Sequence, residues 1–286
     1  MMSSQHIIPK PLTTSRLCLR SLIFAICIIF SCFSFSCKKN VPLSELTLDQ
    51  IAVESIQTPT KYRYGPCSGQ LEITIATNID KKTTLQTAYA NYSVIEEGQR
   101  LIWHIFIPKW KENGRIYSPF VPLIDMTMDT DFRGTMGSSN VTFPLIQSLG
   151  KTISPKIRKK VESLKKELSL FNDSLPEEGI TTGDSLFNKT LPPPPPGFKL
   201  EATDVSYTLT GEFIKDLDTY VVASLNERIP FTDMASGVQT FMVINGYVIF
   251  FKSQMELVKS ESEITIYSPM GTPIAYSTIS MIRKDK

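Results

Sequence analysis

The residues best suited to chemistry in this chain are three aspartates, Asp125, Asp129 and Asp131, in the run DMTMDTD. Alternate side chains of an extended segment share a face, so offsets of four and two place the three carboxylates on one side of a strand. Stacked carboxylates can bind Ca²⁺ through oxygen ligands or raise one another's pKa for acid catalysis. The same spacing is also the solvent face of an ordinary antiparallel strand whose other face carries Met126 and Met128. That second reading accounts for the whole alternation, so no metal ion is expected there. An EF-hand loop is excluded, because no Gly and terminal Glu follow at the required spacing.

A second candidate is His104, the one histidine beyond the N-terminal segment. It lies in LIWHIFI (Leu101 to Ile107), on the side of Ile102 and Phe106, and a core or edge histidine is the expectation. Any Ser-His-Asp arrangement has to use this ring, and no G-x-S-x-G elbow accompanies it. GPCSG at 65–69 and Thr182-Gly183-Asp184 are too short for phosphate loops and lack a following Lys. No catalytic residue, cofactor or cofactor-binding residue is assigned, and the chain is expected not to be an enzyme.

The elements that must hold these residues are mostly strands. Leu71, Ile73 and Ile75 alternate with Glu72, Thr74 and Ala76. Leu101–Ile107 is apolar throughout, as a strand buried on both faces would be, and Ile124–Phe132 alternates. Asn245-Gly246 between Phe241–Ile244 and Tyr247–Phe251 predicts a type I′ hairpin, and Ser268-Pro269-Met270-Gly271 predicts the turn of a last one. One helix is predicted over 155–171: Ser154-Pro155 starts it, and Ile157, Val161, Leu164, Leu168 and Phe171 form a single apolar stripe. Pro192–Pro196, inside a proline-rich loop at 191–197, is expected to be extended polyproline II. The predicted fold class is therefore α+β, mostly antiparallel β: a curved sheet or half-barrel covered by one amphipathic helix.

The N-terminal segment has its own logic. Lys10, Arg16 and Arg20 precede an apolar run, Ser21 to Phe35, and Ser36-Cys37-Lys38-Lys39 follows. About 15 apolar residues are too few to span a bilayer as an ordinary helix and suit a cleaved export signal. Three of the 30 Lys+Arg and none of the 28 Asp+Glu precede Cys37, so the remaining chain carries a net charge of −1. No electrostatic pull toward nucleic acid remains. Of five cysteines, only Cys37 and Cys67 lie outside the signal. An unlipidated Cys37 leaves a Cys37–Cys67 disulfide open; a lipidated one leaves Cys67 alone.

This basic, apolar, Ser-Cys order resembles the lipobox of bacterial lipoproteins. The resemblance implies acylation at Cys37, with Cys32 as the alternative, after removal of residues 1–36. The implied organisation is a signal peptide at 1–36, a lipid-anchored tether at 37–65 and a single β-rich domain at 66–286. The segment Asp131-Phe132-Arg133-Gly134, the helix from Pro155, Leu175 through Gly183-Asp184-Ser185 and the 268–273 turn together resemble bacterial envelope lipoproteins of unknown function. Their architecture is similar to the half-barrel LolA and LppX lipoprotein carriers. The resemblance implies a cell-envelope location at the outer membrane, through an acyl anchor. The implied role is a non-enzymatic interaction or structural one, with an envelope protein as partner. The alternative is a carrier of a lipid or other apolar ligand held between sheet and helix.

Overall fold

In a computed structural model, the described residues are Leu48, 51–79, 82–117, 125–149, Pro155, Arg158, 174–191, 197–202 and 204–284. They form thirteen strands: β1 (Cys67–Ile79), β2 (Lys82–Glu97), β3 (Arg100–Glu112), β4 (Arg115–Tyr117), β5 (Asp125–Thr130), β6 (Met136–Thr142), β7 (Ser185–Thr190), β8 (Phe198–Leu200), β9 (Asp204–Lys215), β10 (Asp218–Asp233), β11 (Gln239–Phe251), β12 (Glu256–Tyr267) and β13 (Pro273–Lys284). One six-residue helix, α1 (Pro144–Leu149), follows β6.

All the pairings are antiparallel and make one open sheet in the order β6-β5-β3-β2-β1-β13-β12-β11-β10-β9-β7, with β4 on β3 and β8 on β10. Apart from β4 and β8, which lie off this path, and β6 and β7, which end it, successive strands are spatial neighbours, and β1 meets β13 in the middle. That pairing joins an N-terminal set of strands to a C-terminal set through ten consecutive residue pairs, from Gln70↔Lys284 to Ile79↔Ala275.

One face of the sheet makes the main core. Leu71, Ile73 and Ile75 point inward from β1 and meet Ala90, Ala88 and Gln86 across β2, so large side chains oppose smaller ones. Leu101, Trp103, Ile105 and Ile107 continue the face on β3, Met126 and Met128 on β5, and Val205, Tyr207 and Leu209 on β9. Each fully buried side chain of this size contributes about 1.5–3 kcal/mol relative to exposure. A smaller cluster lies apart from this core: Phe213, Tyr220, Val222, Ile249 and Val258, covered by Leu48, Ile51 and Val53.

Two irregular segments strap one end of the sheet. Residues 56–64 and 174–183 run side by side, joined by reciprocal Thr60–Ile180 backbone hydrogen bonds. Tyr64 N–H and Leu175 N–H bond to Phe132 and Arg133 beside β5, while Gly183 N–H bonds to Leu209 on β9. Eight residues reach at most about 29 Å. The eight strand steps from β5 to β9 measure about 38 Å laid flat. The sheet must therefore bend its two sides toward the strap. Tyr62 and Tyr64, from the segment expected to be tether, are buried in this core.

These features correct the expected α+β fold. The described residues are nearly all antiparallel strand in an open sheet, and no amphipathic helix among them covers it. The inner face is covered by irregular chain instead, and α1, at six residues, is too short to cover a sheet face. The predicted apolar stripe of the 155–171 helix lies outside the described residues, as does the proline run 192–196. Two further corrections follow. Asn245 and Gly246 sit mid-strand in β11, opposite Asn226 and Leu225 of β10, and are not a turn. Gly246 is there because a Cβ would lie 2.6 Å from Ser262 Oγ and 2.7 Å from Glu261 O on β12. β3 is buried on one face only, since Phe106 and His104 are exposed. The β12–β13 turn is where it was predicted, closed by Ser268 N–H to Thr272 O with Gly271 at φ 78°.

Candidate functional site

The strand register explains how the chemical residues meet. Asp125, Thr127 and Asp129 alternate with Met126, Met128 and Thr130, and the second set is buried. On β3, Phe106, His104 and Ile102 pair with Asp125, Thr127 and Asp129. The aspartates therefore share the outer face with His104. The structure joins them in separate pairs. His104 Nε2 lies 2.7 Å from Asp125 Oδ1, Arg100 forms an ion pair with Asp129, and Asp131 leaves the row altogether. Its Oδ1 accepts the N–H groups of Arg133 and Thr135, each at 2.8 Å, and so builds the turn after β5.

This geometry limits the chemistry. The three carboxylates do not converge on one point, and among the described residues no group of three or more His, Cys, Asp and Glu side chains could hold a metal ion. Ser93 of β2 pairs with His104 in the ladder, which lines up Ser93, His104 and Asp125 across three strands. The His104–Asp125 contact is one that a triad would also make, but the His104 side chain is 51% exposed on the outer face of the sheet. The surrounding backbone N–H groups belong to the ladder, so they are not poised as an oxyanion hole. Cys37 and Cys32, the acylation candidates, lie outside the described residues; Cys67 is half-buried and forms no disulfide among the described residues.

Sequence reasoning missed a buried carboxylate and its partners. Glu256, at the start of β12, is fully buried; its Oε2 accepts a 2.7 Å hydrogen bond from Arg283 Nη1 of β13, and Tyr92 Oη lies 3.4 Å from its Oε1. Burial, and then the Glu256 charge, push the Tyr92 hydroxyl well above the usual tyrosine range. Tyr92 reaches this position by crossing Gly69, where a Cβ would collide with its ring. A second, half-buried carboxylate joins strap to sheet: Glu212 accepts from Tyr62 Oη at 2.8 Å and from Lys252 Nζ at 2.7 Å. Burial and the Glu212 hydrogen bond raise the Tyr62 pKa as well. Tyr220, stacked on Phe213, is pushed up to about 12 by burial and nearby carboxylates. The ELVKSESE run of β12 reads as a solvated strand. No local signal marks Glu256 as buried, because its partners come from β2 and β13.

No family model matches the sequence, and no curated protein matches it. Solved structures give distant likenesses. One is a DUF1329 family protein from Desulfovibrio piger, with 9% identity over 75% of this chain and 83% of that chain and a TM-score of 0.22. Another is DynF from the dynemicin biosynthesis pathway of Micromonospora chersina, with 7% identity over 89% and 96% and a TM-score of 0.20. A DUF3598 family protein from Nostoc punctiforme gives 9% identity over 76% and 96%, with a TM-score of 0.13. Scores at this level do not assign a shared fold. The resemblance to half-barrel lipoprotein carriers therefore rests on the sequence motifs alone.

Proposed function

We propose that this protein is a cell-envelope lipoprotein, acylated at Cys37 and held at the outer membrane, that works through non-covalent contact and not through catalysis. The anchor is supported by the basic, apolar, Ser-Cys order of residues 10–37. The role is supported above all by the inner face. Its described part is packed with the chain's own large side chains, among them Trp103, Trp110, Phe143, Phe187 and Tyr207, and is strapped by Tyr62 and Tyr64. Such a core favours a scaffold that presents its outer surface over a carrier that empties and fills. The His104–Asp125 and Arg100–Asp129 pairs fit a solvated strand face in the same way.

Native mass spectrometry of the full chain extracted from membranes tests this reading. The expected species is the acylated polypeptide alone. A stoichiometric non-covalent lipid that survives purification would instead favour the carrier.

A further inference from the structure

The β9–β10 hairpin breaks a local rule with no internal return. Its two-residue turn, Asp216-Leu217, has φ of 52° and 74°. Both values lie in the left-handed region that Gly, Asn and Asp tolerate and a bulky apolar residue does not. Leu217 is nevertheless there and is 97% exposed; Ile214, on the same tip, is 73% exposed. A glycine would relieve the backbone and remove apolar surface from water at once. The residue therefore works against the stability of the isolated domain in two ways, which points to contact with something outside it.

The position of the tip indicates its occupant. The strand register puts the turns at 98–99, 216–217 and 252–255 at one end of the sheet, with the straps, and those at 113–114, 234–238 and 268–272 at the other. The N-terminal side of the chain arrives at the first end. Leu48, Ile51 and Val53 pack on the cluster that includes Phe213, Tyr220 and Val222 of this very hairpin, and Glu54 bridges to Glu212. Residues 38–47 are all that separates Leu48 from Cys37, a reach of at most about 40 Å. An acyl chain on Cys37 would keep this end of the sheet within that distance of the bilayer.

We propose that the Ile214–Leu217 tip inserts into the surface of the lipid bilayer and sets the orientation of the anchored domain. The inference rests on acylation at Cys37. Lys215, Asp216 and Asp218 give the tip a net charge of −1, which favours a zwitterionic surface over an anionic one.

The test uses full-length protein from membranes, with acylation checked by intact mass and then reconstituted into phosphatidylcholine vesicles carrying brominated acyl chains. Leu217→Trp is compared with Met270→Trp, which is equally exposed at the opposite end; the native Trp103 and Trp110 are buried and give the same background in both. The Leu217→Trp emission should shift to the blue and be quenched by bromine, while that of Met270→Trp should stay water-like. In the unacylated Cys37→Ala protein, Leu217→Gly should lower vesicle flotation at least about tenfold while its melting temperature holds or rises. Acylated protein with an unquenched Leu217→Trp indole overturns the tip proposal and leaves the anchor standing. Protein without acyl at Cys37 overturns both. A switch from dimer to monomer on Leu217→Gly, with no bromine quenching, would assign the tip to a second copy and reject the bilayer.

Discussion

At the scale of single residues, Glu256 makes a heavy electrostatic demand on the fold, being fully buried. A buried carboxylate is tolerated only with a counter-charge, and removing that partner costs far more than the pair contributes. Arg283→Met should therefore destabilise the protein by about 3–5 kcal/mol in urea unfolding, whereas Arg100→Met, which breaks the exposed pair with Asp129, should cost less than about 1 kcal/mol. Equal losses would mean that Glu256 is not sealed as described. The tyrosines set the alkaline limit. Tyr62, Tyr92 and Tyr220 all have pKa values raised by burial, so the folded state keeps protons that the unfolded chain releases above about pH 10. The stability from these groups is complete below that pH and falls as pH rises through 12. Melting temperature followed from pH 9 to 12 should drop, and Tyr92→Phe should flatten the drop. An unchanged slope in that variant would show that Tyr92 ionises freely in the folded protein.

At the scale of elements, Asn245-Gly246 gives a sharp test. In mid-strand, Gly246→Ala places a Cβ against Ser262 Oγ and Glu261 O and should cost about 1–3 kcal/mol. The exposed Asn245 tolerates Thr, a better strand former, with no loss. In a type I′ turn, Asn245→Thr would be clearly destabilising. Chemical denaturation of the two variants separates the cases. The strap gives a second test, since Tyr64 is buried and packs edge-on against Trp103; Tyr64→Ala should cost about 3–5 kcal/mol.

These elements also show what the sequence made legible. The alternation of β1 and of the Asp125–Thr130 strand was readable because each buries one face, and period two survives in the residue types. Asp125 and Asp129 lie on the outer face, half-buried, for that reason. Asn245-Gly246 misled because its local turn preference is overridden by two long neighbouring strands and by a close backbone approach that only Gly permits. β3 looked buried on both faces because Ile102 and Phe106 are apolar yet lie outward. The His104–Asp125 contact, the strap and the Glu256 pair depend on the packing of distant segments, which no local window encodes.

At the scale of the whole molecule, the account is of an open, strapped sheet whose N-terminal approach and hairpin tip share one end, beneath a proposed acyl anchor. Its most direct test is the intact mass of the full-length protein recovered from bacterial membranes, with parallel palmitate labelling of Cys37→Ala and Cys32→Ala. The account predicts a mature chain that begins at Cys37 and carries acyl chains, with labelling abolished by Cys37→Ala and retained in Cys32→Ala. A chain that begins elsewhere with no acyl mass, or labelling that persists in both variants, would contradict it.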